Sequence, residues 1–242
     1  YYDAPWAGKA VEFLCGIEVT RVFHRACAIL TFGYAAVHLA WLLRGFFGGR
    51  RRGLFWGPES LVPRWRDAVD LWHNLRWVFY LGPPPKFGRW TYFEKFDYFA
   101  VFWGVPVIGL SGLMLWFPGF FSSFLPGEVL NLAQIVHSEE ALLAGGFIFT
   151  VHFFNTHLRP ENFPMDTSIF TGVIPLERFK HERPEEYALR VKENRLEEIA
   201  APAPSAAAQR VARLFGGTAL GIGGLVIVSV MATFVARWFQ GS

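Results

Sequence analysis

Residues 22–43 read VFHRACAILTFGYAAVHLAWLL, and this stretch decides the fold. It carries one formal charge, Arg25, and no proline. Its apolar side chains occupy every helical phase, whereas a globular helix keeps a polar face. As a helix it is about 33 Å long, enough to cross roughly 30 Å of hydrocarbon. Three further blocks repeat the pattern. Residues 99–117 and 214–236 carry no charge, and residues 132–154 carry only Glu139 and Glu140. Four buried helices of a soluble protein are the alternative, and the missing polar faces argue against it. Aromatic residues make up 18% of the chain, and Trp41, Trp103, Trp116 and Trp238 near the block ends fit interfacial belts.

The expected fold is all-α, an integral-membrane four-helix bundle with an interfacial amphipathic helix. Its expected divisions are an outer segment 1–21, crossings at 22–43, 99–117, 132–157 and 214–239, and connections at 44–98, 118–131 and 158–213. The chain begins Tyr1-Tyr2-Asp3 without an initiator Met, which leaves open whether residues precede it. Cys15 and Cys27 read as plain thiols, since Cys27 lies inside a crossing and no C-x-x-C-H pattern occurs.

Charge placement sets the expected orientation. Connection 44–98 holds ten Lys or Arg and 158–213 holds nine, whereas 118–131 holds none. The positive-inside rule puts both basic connections in the cytoplasm and both termini outside, as in a bacterial inner membrane with a periplasm. A solvated, lipid-facing basic loop explains these cations without nucleic acid. Residues 63–81 (PRWRDAVDLWHNLRWVFYL) have the pattern of an amphipathic interfacial helix ended by Pro83-Pro84-Pro85. Residues 175–198 read as charged helix, and 200–208 (AAPAPSAAA) as a linker.

Four of the seven histidines fall in apolar blocks, as two pairs: His24 with His38, and His137 with His152. Fourteen or fifteen helical residues bring each pair to within about 40–60° of one face and about 21–22 Å apart along the axis. In an up-down bundle the first and third crossings run parallel. His24 then faces His137 at one level, and His38 faces His152 at the other. Facing imidazoles at two levels describe two bis-His haem b sites, with His24, His38, His137 and His152 as iron ligands. Helix–helix hydrogen bonding or a proton relay is the bland alternative for any single intramembrane His. Zinc fits poorly, because its ligands would have to share one small shell. Gly33, Gly104, Gly109, Gly112, Gly145 and Gly146 allow either close approach to a ligand or ordinary helix packing.

The paired-His spacing resembles transmembrane cytochrome b proteins. The stretches at 88–104 (GRWTYFEKFDYFAVFWG) and 136–166 (VHSEEALLAGGFIFTVHFFNTHLRPENFPMD) look like bacterial cytochrome b subunits associated with multihaem c-type cytochromes. That resemblance implies two non-covalent b haems, electron exchange with a quinone pool, and a c-type cytochrome or catalytic subunit as partner. The chain departs from quinol–cytochrome c oxidoreductases in having four crossings and no P-E-W-Y motif. It departs from the formate-dehydrogenase type of subunit in having no His on its second or fourth crossing.

Other residues fit around this frame. Arg21 and Arg25 flank His24, and Arg44 lies beyond His38; each serves either a haem propionate or interfacial anchoring. Glu139 and Glu140 are proton-transfer candidates, or else are wet because the third crossing begins later. His157, Asn155, Arg159 and His73 form the quinone-site candidate, since quinone carbonyls need donors and reduction needs protons. By α-helical phase His157 lies about 200° from His137, which sets it apart from the ligand face. His181 is expected to be exposed. The function expected is an electron-transfer subunit of a membrane quinone oxidoreductase complex. The alternative is a redox-inert anchor or a proton or ion transporter using His and Glu as relays.

Overall fold

The computed structural model describes residues 5–48, 52–160 and 162–240. Tyr1, Tyr2, Asp3, Arg50 and Arg51, and the side chains of Arg52, Arg237 and Trp238, lie outside the described part. The described chain is all-α. Its helices are α1 Pro5–Phe13, α2 Ile17–Phe47, α3 Arg52–Phe55, α4 Trp65–Val78, α5 Tyr92–Trp116, α6 Pro118–Phe121, α7 Gly127–Phe147, α8 Ser168–Thr171, α9 Leu176–Glu182, α10 Pro184–Lys192 and α11 Ala206–Gln240. α2, α5, α11 and α7 with its continuation to Leu158 are each long and apolar enough to cross a membrane. Most of their large apolar side chains are exposed, as for Phe23, Trp103, Leu143 and Leu225. Water would penalise so much exposed apolar surface, whereas lipid accommodates it and leaves the helix to satisfy its own backbone. The protein is a multi-pass membrane protein with the bilayer as its partner.

Each crossing helix outruns its apolar block, because caps and polar ends extend a helix that hydropathy cannot see. α5 starts at Tyr92, seven residues before the block, through a capping box. The Thr91 backbone N–H and hydroxyl both donate to the Glu94 carboxylate at 2.8 Å. α7 starts at Gly127 rather than 132. α11 starts inside the expected linker at Ala206, where the Ser205 hydroxyl accepts from the Ala208 N–H at 3.2 Å.

The chain divides into two units, and α2, α5 and α11 contribute residues to both. The first contains Tyr1–Leu39, Gly104–Asp166 and Leu214–Ser242. It is the helical bundle, and its helices meet through small residues. A Cβ at Gly109 would lie 2.7 Å from the Phe32 ring, and one at Gly223 would lie 2.1 Å from the Phe149 ring. Beyond Phe147 the third crossing widens. Ile148–His152 and Phe154–Leu158 are π-helical, with i→i+5 hydrogen bonds such as the 3.1 Å bond from the Arg159 N–H to the Phe154 carbonyl. Hydroxyls of Thr150 and Thr156 donate to the carbonyls of Gly146 (2.6 Å) and His152 (2.7 Å), the side-chain insertion that loosens a helical turn.

The second unit contains Ala40–Trp103 and Thr167–Arg213. Here the reading of a solvated basic loop fits exposed Arg64 and Arg76 but is corrected at Lys95 and Arg190. Lys95 is 4% exposed and donates to Asp67 at 2.7 Å. Arg183 pairs with Glu94 at 2.5 Å, Arg66 pairs with Glu185, and buried Arg190 joins Glu186 and Glu59. Buried cations need such partners, because an unpaired charge cannot leave water cheaply. α4 realises the interfacial helix, with Asp67 accepting from the Arg64 N–H at 2.6 Å. It ends before the prolines. Tyr80 takes a left-handed φ of 59°, and the Leu81 N–H closes the last turn on the Arg76 carbonyl at 2.7 Å. The charged segment 175–198 is two helices, because Pro184 opens α10 directly after α9.

Candidate functional site

α2 and α7 bring His24 and His137 together inside the first unit. Their ring centroids are 6.0 Å apart and their planes cross at 84°. A cavity of about 430 Å³ lies at this pair, walled by apolar side chains of α2 and α5 and rimmed by Arg21, Arg25 and Trp116. Its volume falls within the usual range for small-molecule and cofactor sites. Arg25 stacks over the Trp116 ring at 5.0 Å, which fixes its guanidinium at the rim. Arg21 is exposed and pairs with Glu18 at 2.6 Å.

His137 is held by α5. Its Nδ1 lies 3.0 Å from the Ile108 carbonyl and 3.2 Å from the Ser111 hydroxyl, both on α5. A carbonyl can only accept, so Nδ1 carries the proton and Nε2 keeps the lone pair. The ring packs so close to α5 that a Cβ on Gly112 would sit 2.9 Å from its Cε1. Sequence reasoning missed Ser111 and the role of Gly112. The available signal was G-L-S-G at 109–112, a hydroxyl between glycines in an otherwise apolar crossing.

Fourteen residues along α2, about 21 Å by helix rise, lies His38. His38 and His152 are both half-buried and belong to the same unit. The π-helical turns revise the phase argument for this end. They lower the rotation per residue from about 100° to roughly 85°. His152 then falls nearly in line with His137, and His157 lies within roughly 50° of it rather than about 200° away. His157 is therefore not set apart by its face. It is set apart by protonation. His157 is 6% exposed, and its Nδ1 accepts the Asp166 backbone N–H at 3.2 Å, so the neutral ring carries its proton on Nε2. His137 offers a lone pair at Nε2, whereas His157 offers a donor. Phe153 lies between the two π turns, with its ring 6.1 Å from His152 and 5.7 Å from His157.

Near His157, Asn155 and Arg159 are half-buried. Asn162 is buried and its amide donates to the Thr156 carbonyl at 2.9 Å. Its Oδ1 is a buried acceptor without a partner among the described residues. His73 belongs to the second unit. It lines a groove of about 480 Å³ there with Arg66, Asp70, Arg76 and Pro83-Pro84-Pro85. Hydrogen bonding to Glu185 raises the Arg66 guanidinium above its ordinary value. Arg44 and His181 are exposed. Glu139 is exposed, whereas half-buried Glu140 packs at Gly104, where an added Cβ would meet its carboxylate at 3.4 Å. Both cysteines are free thiols, and Cys27 lines the His24–His137 cavity.

Among the described residues no three or more His, Cys, Asp or Glu gather into a chelating shell. Comparison with protein-family models, curated proteins and solved structures finds no match.

Proposed function

We propose that the chain is a membrane cytochrome b subunit that relays electrons through two bis-His b haems between the quinone pool and a redox partner. The observation that carries this reading is the His24–His137 pair. Two imidazoles on opposite faces of one iron, each with a metal–nitrogen bond of about 2 Å, have ring centres roughly 6 Å apart. The observed 6.0 Å fits that spacing. The donor chemistry fits too, because α5 holds the His137 Nδ1 proton and leaves Nε2 its lone pair, the usual setting of a metal-bound His. A haem bound there supplies reversible one-electron chemistry at a potential set by its ligands and surroundings.

The residues have separate tasks. His24 and His137 hold one iron, and His38 and His152 hold the second. Arg25, braced on Trp116, neutralises anionic groups at the cavity rim. Apolar side chains of α2 and α5 line the cavity between them. His157 presents its Nε2–H to a quinone carbonyl, with Asn155 and Arg159 beside it in the chain. Glu140, rather than exposed Glu139, is the favoured proton carrier in the third crossing. The charge bias supports a cytoplasmic side for the basic connections; on this reading the chain sits in a bacterial inner membrane with both termini periplasmic, and a c-type cytochrome or catalytic subunit exchanges electrons with it there.

A reduced-minus-oxidised spectrum of the purified chain, with pyridine haemochrome counting, tests the reading. Two b haems per chain with low-spin bis-His spectra are expected. A colourless protein, reconstituted with haemin and still without a Soret band, refutes it.

A further inference from the structure

We propose that Ser111 is a positioning residue for His137 that, as a second acceptor for its Nδ1 proton, sets the redox poise of the His24–His137 site alone. The inference rests on the cytochrome reading and goes beyond it. Ser111 is 5% exposed, and its hydroxyl donates to the Val107 carbonyl at 2.7 Å. A hydroxyl has one proton, and this one is engaged within α5. Its lone pairs are what remain for the His137 Nδ1 at 3.2 Å. The Nδ1 proton is therefore shared between two acceptors, Ser111 and the Ile108 carbonyl at 3.0 Å.

Acceptors on the distal N–H push electron density toward Nε2 and make the ring a stronger ligand. A stronger ligand favours the more positive, oxidised iron and lowers the potential. The opposing ligand lacks this support: among the described residues His24 makes a ring contact with His137 and no hydrogen bond. The pair is thus built unequally, with His137 preset by α5 and His24 free to settle against what binds.

The test uses the full purified chain carrying its haems, with Ser111→Ala and Ser111→Thr variants. Each haem is titrated by visible absorbance against potential. Ser111→Ala is expected to keep two haems, because the Ile108 carbonyl still holds Nδ1. One haem's reduced-to-oxidised ratio at fixed potential should rise about threefold, the scale of one modest hydrogen bond, equal to roughly 30 mV at 59 mV per decade. The other haem stays unmoved, and Ser111→Thr restores the original value. Unchanged potentials in Ser111→Ala, equal movement of both haems, or a threonine variant that behaves like alanine each overturn the assignment.

A second measurement needs no variant. Electron-nuclear double resonance before and after transfer to heavy water should find one axial imidazole N–H protected from exchange at the site with the cation-rimmed cavity. Equal exchange at all four axial rings overturns the proposal. An unaltered protein without haem sinks the cytochrome reading itself. Two haems without these signatures sink only the role of Ser111.

Discussion

Replacing Gly112 with alanine should empty the His24–His137 site while leaving the bundle intact. The added Cβ would lie 2.9 Å from His137 Cε1 and 3.3 Å from Nδ1, where ordinary contact begins at 3.4 Å. The imidazole must retreat from α5 by about 0.5 Å. The same retreat stretches its 3.0 Å hydrogen bond to Ile108 to roughly the limit of a bond. A buried N–H left poorly satisfied costs about 1–3 kcal/mol, so a central 2 kcal/mol weakens retention at this site about 30-fold. Helix propensity works in the opposite direction, since alanine favours a helix over glycine by about 1 kcal/mol. Loss of the haem therefore cannot be blamed on a weaker α5. Haem stoichiometry by pyridine haemochrome, with circular dichroism and gel filtration in detergent as controls, reads the outcome. The expected result is a haem content that falls below two per chain, lost from this site, at unchanged helicity. Two haems with an unaltered low-spin spectrum would show that the ring does not need the space glycine leaves, and the packing argument at Gly112 would fall.

Two further perturbations follow from the same structure. His152→Leu should cost one haem, whereas His157→Asn should keep both and lower quinol oxidation in vesicles at least tenfold, because Nε2–H of His157 is a donor rather than a ligand; a haem lost from His157→Asn reverses that division. In the second unit, burial pushes the Asp70 carboxyl up from its ordinary value against the pull of Arg66. A carboxyl with a raised folded-state pKa contributes stability that is full below about 4 and is lost as pH rises through that folded value. Asp70→Asn stays neutral, so its stability relative to the unaltered chain should grow between pH 4 and 7 in urea titrations followed by tryptophan fluorescence. A gap that stays flat or narrows with pH contradicts the account.

The all-α, membrane-crossing architecture was legible in the sequence because it depends on a sum. Hydropathy over about twenty residues decides whether a segment belongs in lipid, and no tertiary contact is needed to settle it. The meeting of His24 with His137 was also legible, since helical phase is regular over α2 and over α7 as far as Phe147. Regularity failed where side chains intervened. Thr150 and Thr156 accompany the π-helical turns, and that change of pitch returns His157 toward the face of His137. No count of residues at 100° could have shown it.

The rest was decided by contacts between segments far apart in the chain. Ser111 and Ile108 reach His137 from 26 and 29 residues away, and their effect is a choice of tautomer that composition does not encode. The cations of the second unit looked like a solvated surface because sequence reports charge without its partner. Lys95 with Asp67 and Arg190 with Glu186 are buried pairs instead. What the sequence determined by itself is each segment's preference between water and lipid, a local and additive property. What only tertiary structure decided is which polar atom satisfies which, a property of geometry between helices, and that choice separates a ligand from a donor.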